Sequence, residues 1–300
     1  MSDQESDHLR RLSRRAFLQG GTLFLVGSAL LPGECLLAAT EEKPKLRLGL
    51  VTDLHYADKD SSGTRYYRES LTKIAEATKH FEQDKPDAVL TLGDLIDSAP
   101  SLDTEKGYLK RIAKEFLGIP GPHHYVVGNH CVTNLTKPEF LGIVGQEKSY
   151  YSFNLAGYHV VILDACFTSD GKSYGRKNFK WADANIPTAE LEWLQADLRQ
   201  SSHKSIVCIH QCLDVTPPFG IKNGPEVRKI LEDSGKVLAV LQGHFHFGNY
   251  QEIGGLHYCT MSAMVEGSGT ENNAYAVLDI LPDNAIRITG FRKQKSYGWQ

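Results

Sequence analysis

Apolar runs of six or seven residues, each closed by polar or glycine-containing turns, set the rhythm of the chain from about residue 45 onward. LRLGLVT (46–52), AVLTLG (88–93), HHYVVG (123–128), HVVILD (159–164), SIVCIH (205–210) and VLAVLQG (237–243) have the length and nearly unbroken apolar character of buried strands. Between them the period changes. Tyr67, Leu71, Ile74, Thr78 and Phe81 fall on one face of a helix. A second helix is expected over 104–117, and a third from an N-cap at Thr188 through AELEWLQADL, with Glu190 in its first turn. After residue 255, LHYCTMSAM, AYAVLDI and AIRITGF read as three strands joined by Gly, Asn and Pro turns. No repeat, low-complexity stretch or linker divides this pattern. It predicts one α/β domain over 44–300, with a core of two stacked sheets flanked by helices.

The first forty residues follow another plan. Basic residues precede an apolar stretch from Ala16 to Leu31, and small residues follow at Ala38 and Ala39, the order of a secretory signal. Gly20, Gly21, Gly27 and Ser28 interrupt the apolar part, which is short for a membrane span. Ser13-Arg14-Arg15-Ala16-Phe17-Leu18 resembles the twin-arginine export motif, which implies the twin-arginine machinery as a partner. The expectation is a signal peptide over 1–39, cleavage near Ala39, no stable membrane span afterwards, and a periplasmic or extracellular protein. An uncleaved membrane anchor or a disordered basic tail is the alternative.

Composition narrows the rest. The net charge of −3, with no basic run beyond the first fifteen residues, gives no footprint for nucleic acid. Six cysteines include no C-x-x-C pair, and five remain after signal removal, so neither a zinc ribbon nor a disulfide framework is expected.

The chemistry collects where the strands stop. LGLVTDLH ends in Asp53 and His55; VLTLGDLID ends in Asp94, with Asp97 close behind; YVVGNHC ends in Asn129 and His130; IVCIHQ ends in His210; AVLQGHFHF ends in His244 and His246. In α/β sheets ligands bind beyond the carboxyl ends of strands, so five strand ends at one sheet edge would share a pocket. Each residue alone has an ordinary explanation, such as a helix cap, a turn or a core histidine. Five coincidences at five successive strand ends do not. Asp, His and Asn without Cys suit Mn²⁺, Fe or Zn²⁺ in a non-thiolate site. Seven donors are too many for one ion and fit two. Two divalent cations, two carboxylates and a hydroxide sum to about +1, a seat for phosphate.

These blocks, D-x-H, G-D-x-x-D, G-N-H, H and G-H-x-H in this order over 53–246, resemble the calcineurin-like metallophosphoesterase superfamily. The resemblance implies a four-layer αββα sandwich and two divalent metal ions. Asp53, His55, Asp94 and His246 would bind the first metal; Asp94, Asn129, His210 and His244 the second, with Asp94 bridging. It further implies a bridging hydroxide as nucleophile and His130 as the catalytic histidine beside the leaving group. Asp97 would orient a ligand or cap a turn. HYADKDSSGTRYYRESL (55–71), GDLID, VILDA (161–165), LEWL (191–194) and the tail from GHFH resemble, more narrowly, the manganese-dependent ADP-ribose/CDP-alcohol diphosphatases. Their substrates are small phosphorylated compounds, the nucleoside diphosphate conjugates. Arg65, Tyr66 and Tyr67 then become candidate substrate contacts, the alternatives being a solvated helix-start residue for Arg65 and a core residue for Tyr67. Cys131 departs from the acidic residue common after G-N-H. A broader phosphomonoesterase or glycerophosphodiesterase, and an exported module that binds metal without catalysis, are the alternatives.

Overall fold

Two six-stranded mixed sheets lie face to face in the computed structural model of the protein. It describes residues 43–300 and, by backbone alone, two short antiparallel strands, β1 (Phe17–Gln19) and β2 (Thr22–Phe24). The export signal and its cleavage point otherwise lie outside the described residues.

The first sheet runs β14-β13-β12-β3-β4-β5 and the second β10-β11-β9-β8-β7-β6. In the first, β3 (Leu46–Val51), β4 (Ala88–Thr91) and β5 (His123–Tyr125) are parallel. The antiparallel ribbon of β12 (Ala274–Ile280), β13 (Ile286–Arg292) and β14 (Tyr297–Trp299) continues it. In the second, β7 (Tyr158–Ile162), β8 (Ser205–Cys208), β9 (Val237–Gln242) and β11 (Leu256–Ser262) are parallel. Antiparallel strands β6 (Tyr151–Leu155) and β10 (Phe247–Ile253) form its edges.

Alternation along each strand builds the layers. Leu46, Leu48 and Leu50 of β3 meet Ile162, Ile206, Leu241 and Met261 between the sheets. The opposite face of the first sheet packs on α1 (Ser70–Asp84) and α2 (Leu102–Leu117) through Ile74, Ala77, Phe81, Leu109, Ile112 and Phe116. The outer face of the second sheet packs on α4 (Thr188–Gln200) and α5 (Gly224–Ser234) through Leu194, Leu198, Val227 and Leu231. The expected αββα sandwich is thus observed, with α3 (Lys137–Val144) added beside α2.

Local boundaries differ from expectation in instructive ways. Thr188 is the first helical residue of α4 and Pro187 holds the capping position, so no side chain caps that helix. Helix α2 begins two residues earlier than expected, because the Ser101 hydroxyl accepts from the Thr104 amide (3.2 Å). The strands stop short of their apolar runs, since the last residues turn away to form the site.

Candidate metal centre

The donor residues come from both sheets, which corrects the expectation of a single sheet edge. Asp53, Asp94 and Asn129 follow β3, β4 and β5, while His210 and His244 follow β8 and β9. The carboxyl ends of the two sets converge at one end of the sandwich, a pairing of sheets that strand periodicity does not encode.

Asp53, His55, Asp94 and His244 hold left-handed backbone, with φ of 50°, 44°, 48° and 68°. Each such non-glycine residue costs on the order of 1–3 kcal/mol and persists only where its surroundings impose it. Here they do. Asp53 N–H donates to Gly93 O (3.1 Å) and His55 N–H to Asp94 O (2.8 Å), so the two strand ends fix one another. Gly128 is needed for space, because a Cβ there would overlap the Asp94 carboxylate; one on Gly93 would overlap the His210 ring.

The side chains form two groups. In the first, His55 Nε2 and His246 Nε2 face each other at 3.2 Å, and Asp53 Oδ1 lies 3.6 and 3.4 Å from them. In the second, Asp94 Oδ2 lies 3.1 Å from His210 Nε2, with His244 beside them. The same Asp94 oxygen is 3.6 Å from His55 Nε2, so it stands between the groups. The other, Asp94 Oδ1, accepts the His130 amide (2.8 Å).

The rings are oriented from behind. His210 Nδ1–H donates to Leu92 O (2.8 Å) and His246 Nδ1–H to Glu266 (2.5 Å), which turns both Nε2 atoms inward. Asp53 Oδ1, Asn129 Oδ1 and His244 Nε2 are buried without hydrogen-bond partners. Unpartnered buried acceptors on this scale are rare in native proteins. Each group also calls for positive charge. Burial would push His210 and His246 down, but Asp94 lifts the first, and Asp53 with Glu266 lifts the second, each to about 9. Burial holds His55 at about 4 and His244 at about 3. Each half thus favours positive charge beside its carboxylate, which a bound cation would supply in place of a proton. The donor set therefore fits two divalent ions.

The remaining candidates surround this floor. His130 Nδ1–H donates to Asp97 Oδ1 (3.2 Å), and Asp97 Oδ2 faces His55 Nδ1 at 3.7 Å. Asp97 also accepts the Ser98 amide (2.6 Å), the contact of a turn cap. Arg65 lines the cavity, 3.8 Å from Asp97 and 3.9 Å from Glu266. Tyr66 is half-buried and is not among the residues that line this cavity; its amide donates to Val265 O (3.0 Å). Tyr67 is core. Cys131 is a buried free thiol pushed up to about 12 by burial, as inert as the other four described cysteines are buried. Sequence reasoning missed Glu266, Trp181 and Phe219. Trp181 and Phe219 stand at the mouth of the cavity of about 330 Å³, against His244 (5.6 and 5.9 Å between centroids).

The description "Calcineurin-like phosphoesterase" matches residues 46–248, more than half of the chain. The chain belongs to the calcineurin-like phosphoesterase family. It is a metal-dependent phosphate ester hydrolase of the dimetal kind. Among similar proteins, a manganese-dependent ADP-ribose/CDP-alcohol diphosphatase of Xenopus laevis is 26% identical, over 82% of this chain and 88% of the relative. Its namesake in Arabidopsis thaliana is 25% identical, over 87% and 98%. The crystal structure of a dimetal phosphatase from Danio rerio, 20% identical, superposes with a TM-score of 0.75, covering 85% of this chain and 99% of that one. The phosphoesterase is thus related to these diphosphatases along most of its length.

Proposed function

We propose that the protein hydrolyses the phosphoanhydride of a nucleoside diphosphate-linked compound, releasing two phosphomonoesters. The observation that carries this reading is the pair of rings at the cavity mouth. Trp181 and Phe219 are 42% and 36% exposed, unusual for large aromatics, and offer flat faces to a nucleobase next to the metal floor. Base–aromatic stacking contributes about 1–3 kcal/mol per base. The relatives named as ADP-ribose/CDP-alcohol diphosphatases support the same substrate class.

In this reading Asp53, His55, Asp94 and His246 hold one metal, and Asp94, Asn129, His210 and His244 the other. The pair supplies Lewis acidity toward the phosphate and an activated water when bound. The protein's own groups do the rest. Asp97 takes the Nδ1 hydrogen bond of His130, which leaves Nε2 for the substrate. Burial would lower the His130 pKa, but Asp94 and Asp97 outweigh it and hold the ring above the ordinary histidine range. That shift favours the protonated ring, and the Asp97 contact places His130 to give a proton to the departing oxygen. Arg65 balances Asp97 and Glu266 at the rim and faces the incoming anion. The basic, apolar and small-residue order of Arg10–Thr40 supports export of the folded enzyme; N-terminal sequencing of protein recovered outside the cytoplasm checks this, and an intact Met1 there would count against cleavage near Ala39.

The test is product analysis with Mn²⁺ on ADP-ribose, CDP-choline, a glycerophosphodiester and a simple phosphomonoester. Nucleoside monophosphates should form from the first two, and His130→Ala should lower kcat about 10²–10⁴-fold with bound metal unchanged. Turnover of only the last two would remove the diphosphatase reading and keep the hydrolase.

A further inference from the structure

A second cavity, of about 520 Å³, opens on the other side of His130 and shares Asn129, His130 and Trp181 with the first. Thr133, Lys177 and Lys180 also line it, and none of its lining residues is acidic. Both lysines come from the segment between β7 and α4, a stretch of chain with no helix or strand of its own. Long segments of that kind are commonly functional.

The backbone of this segment is held in an unfavourable shape. Arg176 and Lys177 are consecutive left-handed residues, with φ of 54° and 60°. Their strain, on the order of 1–3 kcal/mol each, is offset by docking onto the loop that follows His130. Lys177 N–H donates to Thr133 O (2.7 Å), Arg176 donates to Asn134 O, and its guanidinium pairs with Glu139 (2.8 Å). The turn thereby docks the Lys177 backbone onto Thr133, three residues after His130. Neighbouring Lys172 and Lys222 are neutralised by Asp170 and Asp183, whereas Lys177 and Lys180 have no carboxylate partner among the described residues. Two exposed cations without an ion pair among the described residues thus line a cavity that His130 also lines, and they border the neighbouring groove that holds Asp170 and Asp183.

We propose that Lys177 and Lys180 seat the phosphate that departs when the anhydride is cleaved; the inference rests on the anhydride reading above. Water forms the new bond to one phosphorus. The bond from that phosphorus to the bridging oxygen breaks, and its electron pair stays on that oxygen, now terminal on the departing phosphomonoester. One proton of the water remains with the attacked phosphate, and the other reaches the departing one by way of His130. Negative charge therefore grows on the departing phosphate during the step, where two lysine ammoniums stabilise the transition state more than the bound substrate. A leaving group without phosphate gains nothing from them.

The experiment uses the full chain in Mn²⁺, comparing ADP-ribose with bis(4-nitrophenyl) phosphate, whose leaving group carries no phosphate. In the double variant Lys177→Gln/Lys180→Gln the ratio of kcat/KM values, ADP-ribose over diester, should fall about 10–100-fold. The Lys177→Arg/Lys180→Arg pair should restore most of it. An unchanged ratio in the Gln variant, with wild-type protein still cleaving ADP-ribose, overturns the seat alone. Wild-type protein that cleaves the diester but leaves ADP-ribose intact overturns the anhydride reading, and the seat with it.

Discussion

On the floor of the cavity, Asp53, His55, Asp94 and His244 are buried, hold left-handed backbone, and are bonded to one another's strand ends. On its rim, Trp181 and Phe219 are exposed and belong to segments without regular structure, with Lys177 and Lys180 beside Trp181. The floor is set by the ends of two sheets, so its donors cannot shift without disturbing the core. The rim touches the core only through loop contacts and can differ while the floor stays the same. Reaction chemistry that needs fixed charge separation is placed on rigid elements, and recognition on connecting segments. Changes to the floor should therefore act on every substrate, and changes to the rim should sort substrates from one another.

Asp94→Asn gives the largest expected effect. Its carboxylate reaches His210, faces His55 and accepts the His130 amide, so the substitution removes charge from both halves while keeping shape. Hydrolysis of all substrates should drop on the order of 10³-fold or more, beyond the roughly 10–100-fold typical of groups that only orient a ligand. Bound Mn²⁺ should fall below two per chain by elemental analysis. Saturating metal also stabilises the fold, by about 2.7 kcal/mol at a hundredfold excess over Kd, so the Mn²⁺-dependent rise in Tm should shrink with it. A variant that kept both ions would deny Asp94 its place between the two groups.

The same contrast governs what was legible in the sequence. The floor announced itself because each donor ends an apolar run, and the six runs, the two-sheet core and the flanking helices all follow from hydrophobic period. What period does not carry is which sheet a strand joins, and so His210 and His244 arrived from the second sheet. Helix α3 had a readable signal in Thr136-x-x-Glu139, whose side chains form a capping box. Trp181 and Phe219 had none, since a rim residue is defined by where its loop docks. Glu266 also lacked one. It lies past residue 248, beyond the family match, and reaches His246 only because Met264 and Val265 donate to Thr52 O and Asp53 O (both 3.1 Å).

Glu266 sharpens the boundary between floor and rim, for it touches both His246 and Arg65. The buried Lys73 ammonium donates to the carbonyls of Met264, Glu266 and Gly267 (2.8, 2.9 and 2.6 Å), which pins the strand end that presents this carboxylate. If Glu266 serves the floor, Glu266→Gln loosens the His246 tautomer and weakens Mn²⁺ about 10–100-fold in a calorimetric titration, for every substrate alike. A rise in KM with metal affinity intact would move Glu266 to the rim, as the partner of Arg65.

Trp181→Ala should have the smallest effect, and the most selective. The ring stands against His244 at 5.6 Å and Phe219 at 5.6 Å between centroids, without a hydrogen bond to any donor of the floor. Its removal leaves the metal groups and their hydrogen bonds untouched, so bound Mn²⁺ and the rate on bis(4-nitrophenyl) phosphate relative to metal content should hold. A nucleotide substrate loses one stacking face, about 1–3 kcal/mol, which is roughly 5–150-fold in binding. Because stacking is as strong in the bound substrate as in the transition state, the loss belongs in KM and leaves kcat nearly level. Trp181→Phe, which keeps a flat ring, should recover most of it. A fall in kcat on every substrate would instead mean that the ring seals the floor from water, and the division between floor and rim would have to be redrawn at His244.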